Sequence, residues 1–326
     1  MVAAPMRRAA ALAAAFAIAA SVAAARADEP PPLSQGALAR GFALPNLGRP
    51  ALLAPGSRHL GLDLTDVNEF ADKSNAQESL LADGEAAQLS LDYRRGLADG
   101  WEAGVFVPAL IQGGGFLDSV IEGWHKVWGM PNGGRENFRK NRYRFEYVRN
   151  GQVLLDVSQP SAGIGDLQLG LGRRLAPNLA LRGMLQLPTG DASHLGGNGA
   201  FSGALWLDGA LPLNFLKGLS LQASGGLSYT GGGQVLPQLQ KHLLPLGALG
   251  LEYQFAARWS AGLQIYFHDA PYRDTGLAPL TRVAAPLSAR LSYRAGPRTT
   301  FHFGFQEKAS VLASPDFGIF MGAAFD

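Results

Sequence analysis

From His59 onward the chain alternates apolar and polar residues with a period of two. His59-Leu60-Gly61-Leu62-Asp63-Leu64-Thr65 puts leucine on one phase and Gly, Asp and Thr on the other, and Leu219 to Thr230 repeats the pattern over a dozen residues. Successive strand side chains point to opposite faces, so alternation this strict requires one apolar and one polar environment. Twelve such segments can be counted, at 59–67, 86–95, 101–111, 162–174, 179–188, 200–210, 219–230, 242–255, 258–268, 283–294, 299–307 and 316–325. Connections after the second, fourth, sixth, eighth and tenth are short. Those after odd-numbered segments are longer, and the third spans about fifty residues. An even strand number with short turns at one end and long loops at the other is the layout of an outer-membrane barrel.

The two phases carry different chemistry. Beside the leucines stand Tyr93, Trp101, Tyr253, Trp259, Tyr293, Phe301 and Phe325, each next to a short turn or at the end of the chain. Amphipathic rings gathered at one edge of an apolar band form an interfacial girdle. The opposite phase supplies the candidate lumen-lining residues Asp63, Asp92, Arg94, Glu102, Asp166, Arg182, Asp208, Glu252, Arg290 and Arg294, with His268 and His302. A charge facing lipid at mid-depth costs on the order of 2–4 kcal/mol, so a membrane strand must segregate them in this way. A soluble lipocalin-like barrel would reverse the arrangement. The lumen charges are of both signs, which predicts pairing rather than a selectivity ring of one dominant sign. The expectation is an all-β fold, a 12-stranded antiparallel up-and-down transmembrane β-barrel with one long extracellular loop and both termini in the periplasm. Eight strands leave an interior filled by side chains and sixteen leave an open channel, so twelve implies a narrow or gated pore.

Composition narrows the alternatives. A mean hydropathy of +0.03 is too polar for a helical membrane bundle, and the absence of Cys excludes disulfide scaffolds and thiolate chemistry. Residues 1–27 hold Arg7 and Arg8, an Ala-rich run and Ala25-Arg26-Ala27, the order of a cleaved export signal. Setting aside the three arginines of that signal leaves 25 of the 28 basic residues against 26 acidic ones, so global charge gives no support for a nucleic-acid partner. Residues 28–58 contain Pro30-Pro31-Pro32, Pro45, Pro50 and Pro55. Proline disfavours ladder pairing, which predicts a periplasmic arm before the barrel of residues 59–326, with threading of the lumen left open.

The connection 112–161 contains Gly123-Trp124-His125-Lys126-Val127-Trp128-Gly129-Met130-Pro131-Asn132-Gly133-Gly134-Arg135 and later Asn141-Arg142-Tyr143-Arg144-Phe145, leading to Gly163-Ile164-Gly165-Asp166. On these residues, with Leu44-Pro45-Asn46 and Val67-Asn68-Glu69-Phe70, the chain resembles a bacterial outer-membrane barrel family catalogued as a domain of unknown function. That resemblance implies a fold and a bacterial outer-membrane location but no reaction. Leu187-Pro188-Thr189-Gly190-Asp191 and Gly196-Gly197-Asn198-Gly199 look similar to a hairpin loop of barrels that take up hydrophobic compounds.

A loop of this length is usually functional or disordered. Trp124, His125, Lys126, Trp128, Pro131, Asn132, Gly133, Gly134 and Arg135 form the candidate gate motif. The loop has three possible placements: folded inward as a constriction, outward as a cap, or mobile. Arg139, Lys140, Arg142 and Arg144, with Arg135 and Arg149, face only Glu136 and Glu146 nearby. They are the candidate site for lipopolysaccharide phosphates or an anionic solute. A solvated strand extension explains the same pattern.

Catalysis has thinner support. The six His are dispersed without metal-ligand spacing, Ser228 misses G-x-S-x-G by one position, and His268-Asp269 lies on the inward phase. No catalytic residue, metal or cofactor is assigned. Three functions stand: a loop-gated passive channel for a small solute, a closed barrel that engages lipopolysaccharide or a partner, and a lipid hydrolase centred on His268. The expected partners are outer-membrane lipids, lipopolysaccharide, a small-molecule solute and the barrel assembly machinery.

Overall fold

The computed structural model describes residues 30–129, 134–309 and 314–326. The expected export signal over 1–27 lies outside them, as do Met130, Pro131, Asn132 and Gly133 of the loop motif. The barrel wall is built from β1 (Arg58–Ser74), β2 (Glu78–Gly96), β3 (Trp101–Gly113), β6 (Ser161–Ile164) with β7 (Leu167–Ala176), β8 (Leu179–Leu187), β9 (Ser202–Pro212), β10 (Leu219–Thr230), β11 (Leu243–Gln254), β12 (Trp259–His268), β13 (Pro286–Arg294), β14 (Thr299–Lys308) and β15 (Phe317–Phe325). Each pairs antiparallel with its neighbours, and the β1–β15 ladder closes the ring. β6 and β7 are one strand broken by a shift at Gly165-Asp166, where Gly165 N donates to Pro108 O across 2.8 Å. Twelve strands therefore close the sheet, and closure leaves no edge for lipid to solvate.

The period-two pattern sorts the faces as expected. Leu62, Leu64, Leu89, Leu91, Leu249, Leu251 and Leu263 are exposed on the outside, where only lipid can cover them. The girdle pairs across strands, with Trp259 opposite Tyr293 and their ring centroids 4.8 Å apart. Inside, Asp63, Gly322 and His302 share one rung. A side chain at Gly322 would collide with both partners, and its absence lets His302 Nε2 reach Asp63 Oδ1 at 2.5 Å.

Three regions depart from the sequence expectations. The first connection is not a long loop. β1 has 17 residues and β2 has 19, joined by residues 75–77, and a spanning strand needs only about 9–11. Past Thr65 the strands are covered on both faces, so Val67, Asn68 and Phe70 are all buried and the apolar–polar contrast that marked the segment fades.

The second departure is the long connection, which does not enter the lumen. Helix α1 (Leu117–Trp128) and the turn through Arg135 pack against the outer faces of β1 and β2. Hairpin β4 (Arg144–Arg149) and β5 (Gln152–Val157) then stands on the upper part of β2. Its inward side chains Phe145 and Val157, with Tyr143, join an apolar cluster that contains Ala37, Leu195 and Val235.

The third is the proline-rich segment. Residues 30–57 are not an arm beside the barrel; they run through its lumen. Phe42, Leu44 and Leu47 pack in the main buried cluster with Trp206, Leu244, Tyr266 and Tyr272. Proline removes this segment from ladder pairing, but its carbonyls still need donors, and the inward side chains of the wall supply them.

Candidate functional site

The lumen and the segment within it form the candidate site. At the upper end Gln306 Nε2 donates to Ser34 O at 3.0 Å, and the Gln306 amide oxygen accepts from Ser34 N at 3.3 Å. Tyr272 OH donates to Leu38 O at 2.7 Å, Ser228 Oγ to Phe42 O, and Gln264 Nε2 to Leu47 O at 3.0 Å. Below them Arg182 spans Arg49 O at 2.8 Å and Ala51 O at 3.0 Å. Carboxylates take the segment's amides: Glu69 accepts from Ala37 N, Asp208 from Gly48 N at 2.9 Å and Glu102 from Leu53 N at 2.9 Å. Uncharged side chains thus take the carbonyls of the upper half and Arg182 those of the lower, while carboxylates take amides in both.

Most of the candidate lumen charges lie against a charge of opposite sign. Arg182 lies 2.8 Å from Glu102 and 3.2 Å from Asp208, and Arg94 lies 3.8 Å from Glu102 and 3.4 Å from Asp92. Arg49 of the threaded segment joins the same chain at 2.7 Å from Asp92. Arg290 meets Glu252 at 2.7 Å. Away from water such pairs persist only when geometry and added hydrogen bonds offset desolvation, and Arg182 meets that condition through the two carbonyls it binds. Asp166 is held by hydrogen bonds instead: Gln186 Nε2 at 3.0 Å, Gly190 N at 2.9 Å and Asn198 N at 3.3 Å. It fixes the loop after β8 across the mouth, a contact that a side chain at Gly197 would obstruct. Arg294 lines a small cleft with Ser260 and Thr300 at the short-turn end.

Between the segment and the wall of β2, β3 and β7–β9 is a partly open cavity of about 120 Å³. Phe106, Met184 and Trp206 give it an apolar side, and Arg94, Glu102 and Gln186 a polar one.

The gate-motif residues do not converge on this site. Trp124 and Lys126 are exposed on α1, His125 is half-buried, and Trp128 closes the helix. Gly134 adopts a left-handed φ of 95° that turns the chain. Arg135 is buried, 2.6 Å from Asp118 and 2.5 Å from Asp316, with its guanidinium 5.3 Å from the Phe70 ring centroid. The basic run is largely neutralised. Lys140 meets Glu122 at 2.5 Å, Arg142 meets Asp83 at 2.8 Å, Arg149 meets Glu78 at 3.2 Å, and Arg144 pairs with both Glu146 and Asp156. Arg139 is exposed. The local excess of positive charge came from counting neighbours in sequence; Asp83 and Glu78 come from β2. Ser228 and His268 do not meet, since Ser228 is bound to Phe42 O and His268 Nδ1 lies 2.7 Å from Asp269 O.

Sequence reasoning missed the uncharged half of the site. Gln88, Ser90, Gln112, Gln186, Gln222, Ser228, Gln264 and Gln306 are all buried, several of them on the inward phase beside the charges already singled out. A lumen carrying that many amide and hydroxyl donors was the available sign of a chain inside it.

The family model described as "Protein of unknown function (DUF3187)" matches residues 9–326, and the chain belongs to that family. No curated protein matches it. Among solved structures it is similar to the COG4313 outer membrane channel from Pseudomonas putida F1, at 13% identity over 85% of this chain and 98% of that one, with a TM-score of 0.55. It is also similar to a NanC porin (11% identity, 81% and 99% coverage, TM-score 0.45) and to the translocator domain of autotransporter NalP from Neisseria meningitidis (10%, 83% and 88%, 0.47). The first likeness shows a shared fold, and the two lower ones add nothing to it. A closed twelve-stranded barrel with an outer face that only lipid can cover is an outer-membrane protein.

Proposed function

With that family membership as premise, we propose that the protein is a narrow passive channel for small solutes, closed from within by residues 30–57. The observation that carries this reading is the way the segment is held: by side-chain hydrogen bonds to its backbone, by the Arg49–Asp92 pair and by apolar contact. None of these is covalent. A wall of glutamines, serines and internally paired charges remains when the segment withdraws, which suits a small neutral or zwitterionic solute rather than an ion of one sign. The gate is the threaded segment, and the hairpin β4–β5 is its roof.

Liposome swelling with solutes of graded size tests the reading. A variant lacking residues 28–57 admits small sugars and amino acids up to a sharp size limit, and the intact chain admits them far more slowly. The second reading, a closed binding barrel, draws on the cavity beside Phe106, Met184 and Trp206. It requires that the deletion leave permeability unchanged.

A further inference from the structure

Helix α1 carries more apolar surface than the wall beneath it covers. At 3.6 residues per turn, Leu117 and Ile121 lie along one edge of its apolar arc and are 1% and 3% exposed. Val120, Trp124 and Val127 lie along the other edge, and Phe116 precedes them in line. These four are 48%, 49%, 76% and 56% exposed in the order Val120, Trp124, Val127, Phe116. Ser119, Glu122 and Lys126 occupy the opposite side of the helix. A soluble loop resting on a protein wall has no reason to direct a tryptophan, a phenylalanine and two valines away from that wall.

The position of the helix supplies the reason. Phe116 follows five residues after Ile111, the outermost lipid-facing residue of β3, which is 66% exposed. Through the ladders, Ile111 is level with Ala87, Asp66 and Ile319, so the helix begins at the upper rim of the apolar band. It is fixed there. The Glu85 carboxylate accepts from Phe116 N at 2.8 Å and Leu117 N at 2.7 Å, and Asp118 is locked to Asn68 and Arg135. The exposed stripe continues the lipid-facing surface of the barrel around the outside of β1 and β2.

We propose that α1 is an interfacial helix whose stripe Phe116–Val120–Trp124–Val127 is occupied by acyl chains of the outer leaflet, with Ser119, Glu122 and Lys126 on its wet side. Helices of this kind bury their apolar face about 5–10 Å into the boundary between headgroups and chains. The long connection is thereby tied to the membrane as well as to the wall, and the hairpin roof that follows it is held from outside the barrel. This inference does not depend on the channel reading.

The chain has no cysteine, so single-cysteine variants of the full mature protein can each carry one environment-sensitive fluorophore. Val120→Cys and Val127→Cys are compared with Ile111→Cys in the lipid band and with Ser119→Cys and Lys126→Cys on the polar side, all refolded into phosphatidylcholine vesicles. Heat-modifiable gel mobility confirms that each variant is folded. The proposal predicts blue-shifted emission at 120 and 127, matching 111, with stronger quenching by a lipid nitroxide near the headgroup than by one near the chain terminus. Labels at 119 and 126 are quenched by aqueous iodide instead. Emission at 127 that matches 126 and is open to iodide overturns the proposal. So does a 127–127 disulfide whose yield rises with protein density in the vesicle, which would assign the stripe to a second copy of the chain.

Discussion

Residues 30–57 and residues 114–160 are the two long stretches outside the barrel wall, and they are attached by different means. The threaded segment is gripped mainly through its backbone: Ser34, Leu38, Phe42, Leu47, Arg49 and Ala51 all present carbonyls to wall donors. Beyond the β2–β4 ladder and the amides bound by Glu85, the long connection is held to the wall through its side chains, by Arg135 on Asp316, Arg142 on Asp83, Arg149 on Glu78 and the apolar edge of α1. A backbone grip depends on the wall's sequence and little on the segment's own. A side-chain grip depends on both partners. The comparison assigns stability at the lumen to wall residues and stability at the loop to loop residues, and substitutions can break that assignment.

The largest effect is expected at Arg182. Arg182→Met leaves Glu102 and Asp208 buried and short of a cation, and leaves the Arg49 and Ala51 carbonyls short of a donor, a loss of about 3–5 kcal/mol. The refolded barrel should lose its heat-modifiable form at a clearly lower temperature, and protease should reach residues 30–57. An unchanged midpoint would mean that the wall does not hold the segment.

Arg135→Gln is next. It takes the cation from Asp118, which keeps its bonds from Asn68 and Asn141 N, and weakens the hold on Asp316, which Lys308 still contacts, at a local cost of about 2 kcal/mol. The expected result is proteolysis within 114–143 with an unchanged barrel midpoint. Loss of the whole barrel would erase the distinction between the two regions.

Tyr272→Phe removes one donor from Leu38 O while keeping the ring against Phe42, whose centroid is 5.4 Å away. The expected loss is about 1 kcal/mol, read as faster amide exchange around residue 38.

The smallest effect lies in the loop after β8, outside both regions. The Ser193 hydroxyl, and then the His194 ring, bond the Asp191 carboxylate and hold its pKa at about 2, below the ordinary 3.8. A depressed carboxylate stabilises above its ordinary range, and that stability disappears as pH falls through about 2. Asp191 is 61% exposed, so solvent screening leaves a few tenths of a kcal/mol. Asp191→Asn should lower the thermal midpoint slightly at pH 6 and converge with the parent near pH 2.

The wall was legible because lipid leaves a simple mark on sequence. Every second residue must be apolar, and the charges Asp63, Arg182 and Arg290 must take the other phase, so twelve segments could be counted and their inward residues named. The mark fades where lipid ends. Above Thr65 both faces of β1 and β2 meet protein, and the extended hairpin looked like a loop. The threaded segment was harder still, because Pro30, Pro45 and Pro50 record that the chain avoids a ladder, not where it lies. The basic run misled for a related reason: Arg142 finds Asp83, 59 residues earlier, through a strand pairing that local charge counting does not see. Trp124 and Val127 were visible as aromatic and apolar mass, but only the helix they share shows that they face away from the wall.

The proposed channel requires that residues 30–57 close the lumen. Single-channel recording in a planar bilayer tests this, with residues 28–326 beside residues 58–326 and both confirmed as folded by heat-modifiable mobility. The expected result is brief, infrequent openings or silence from the longer chain and a steady conductance with weak ion selectivity from the shortened one. Equal currents from the two, or silence from both, would contradict it.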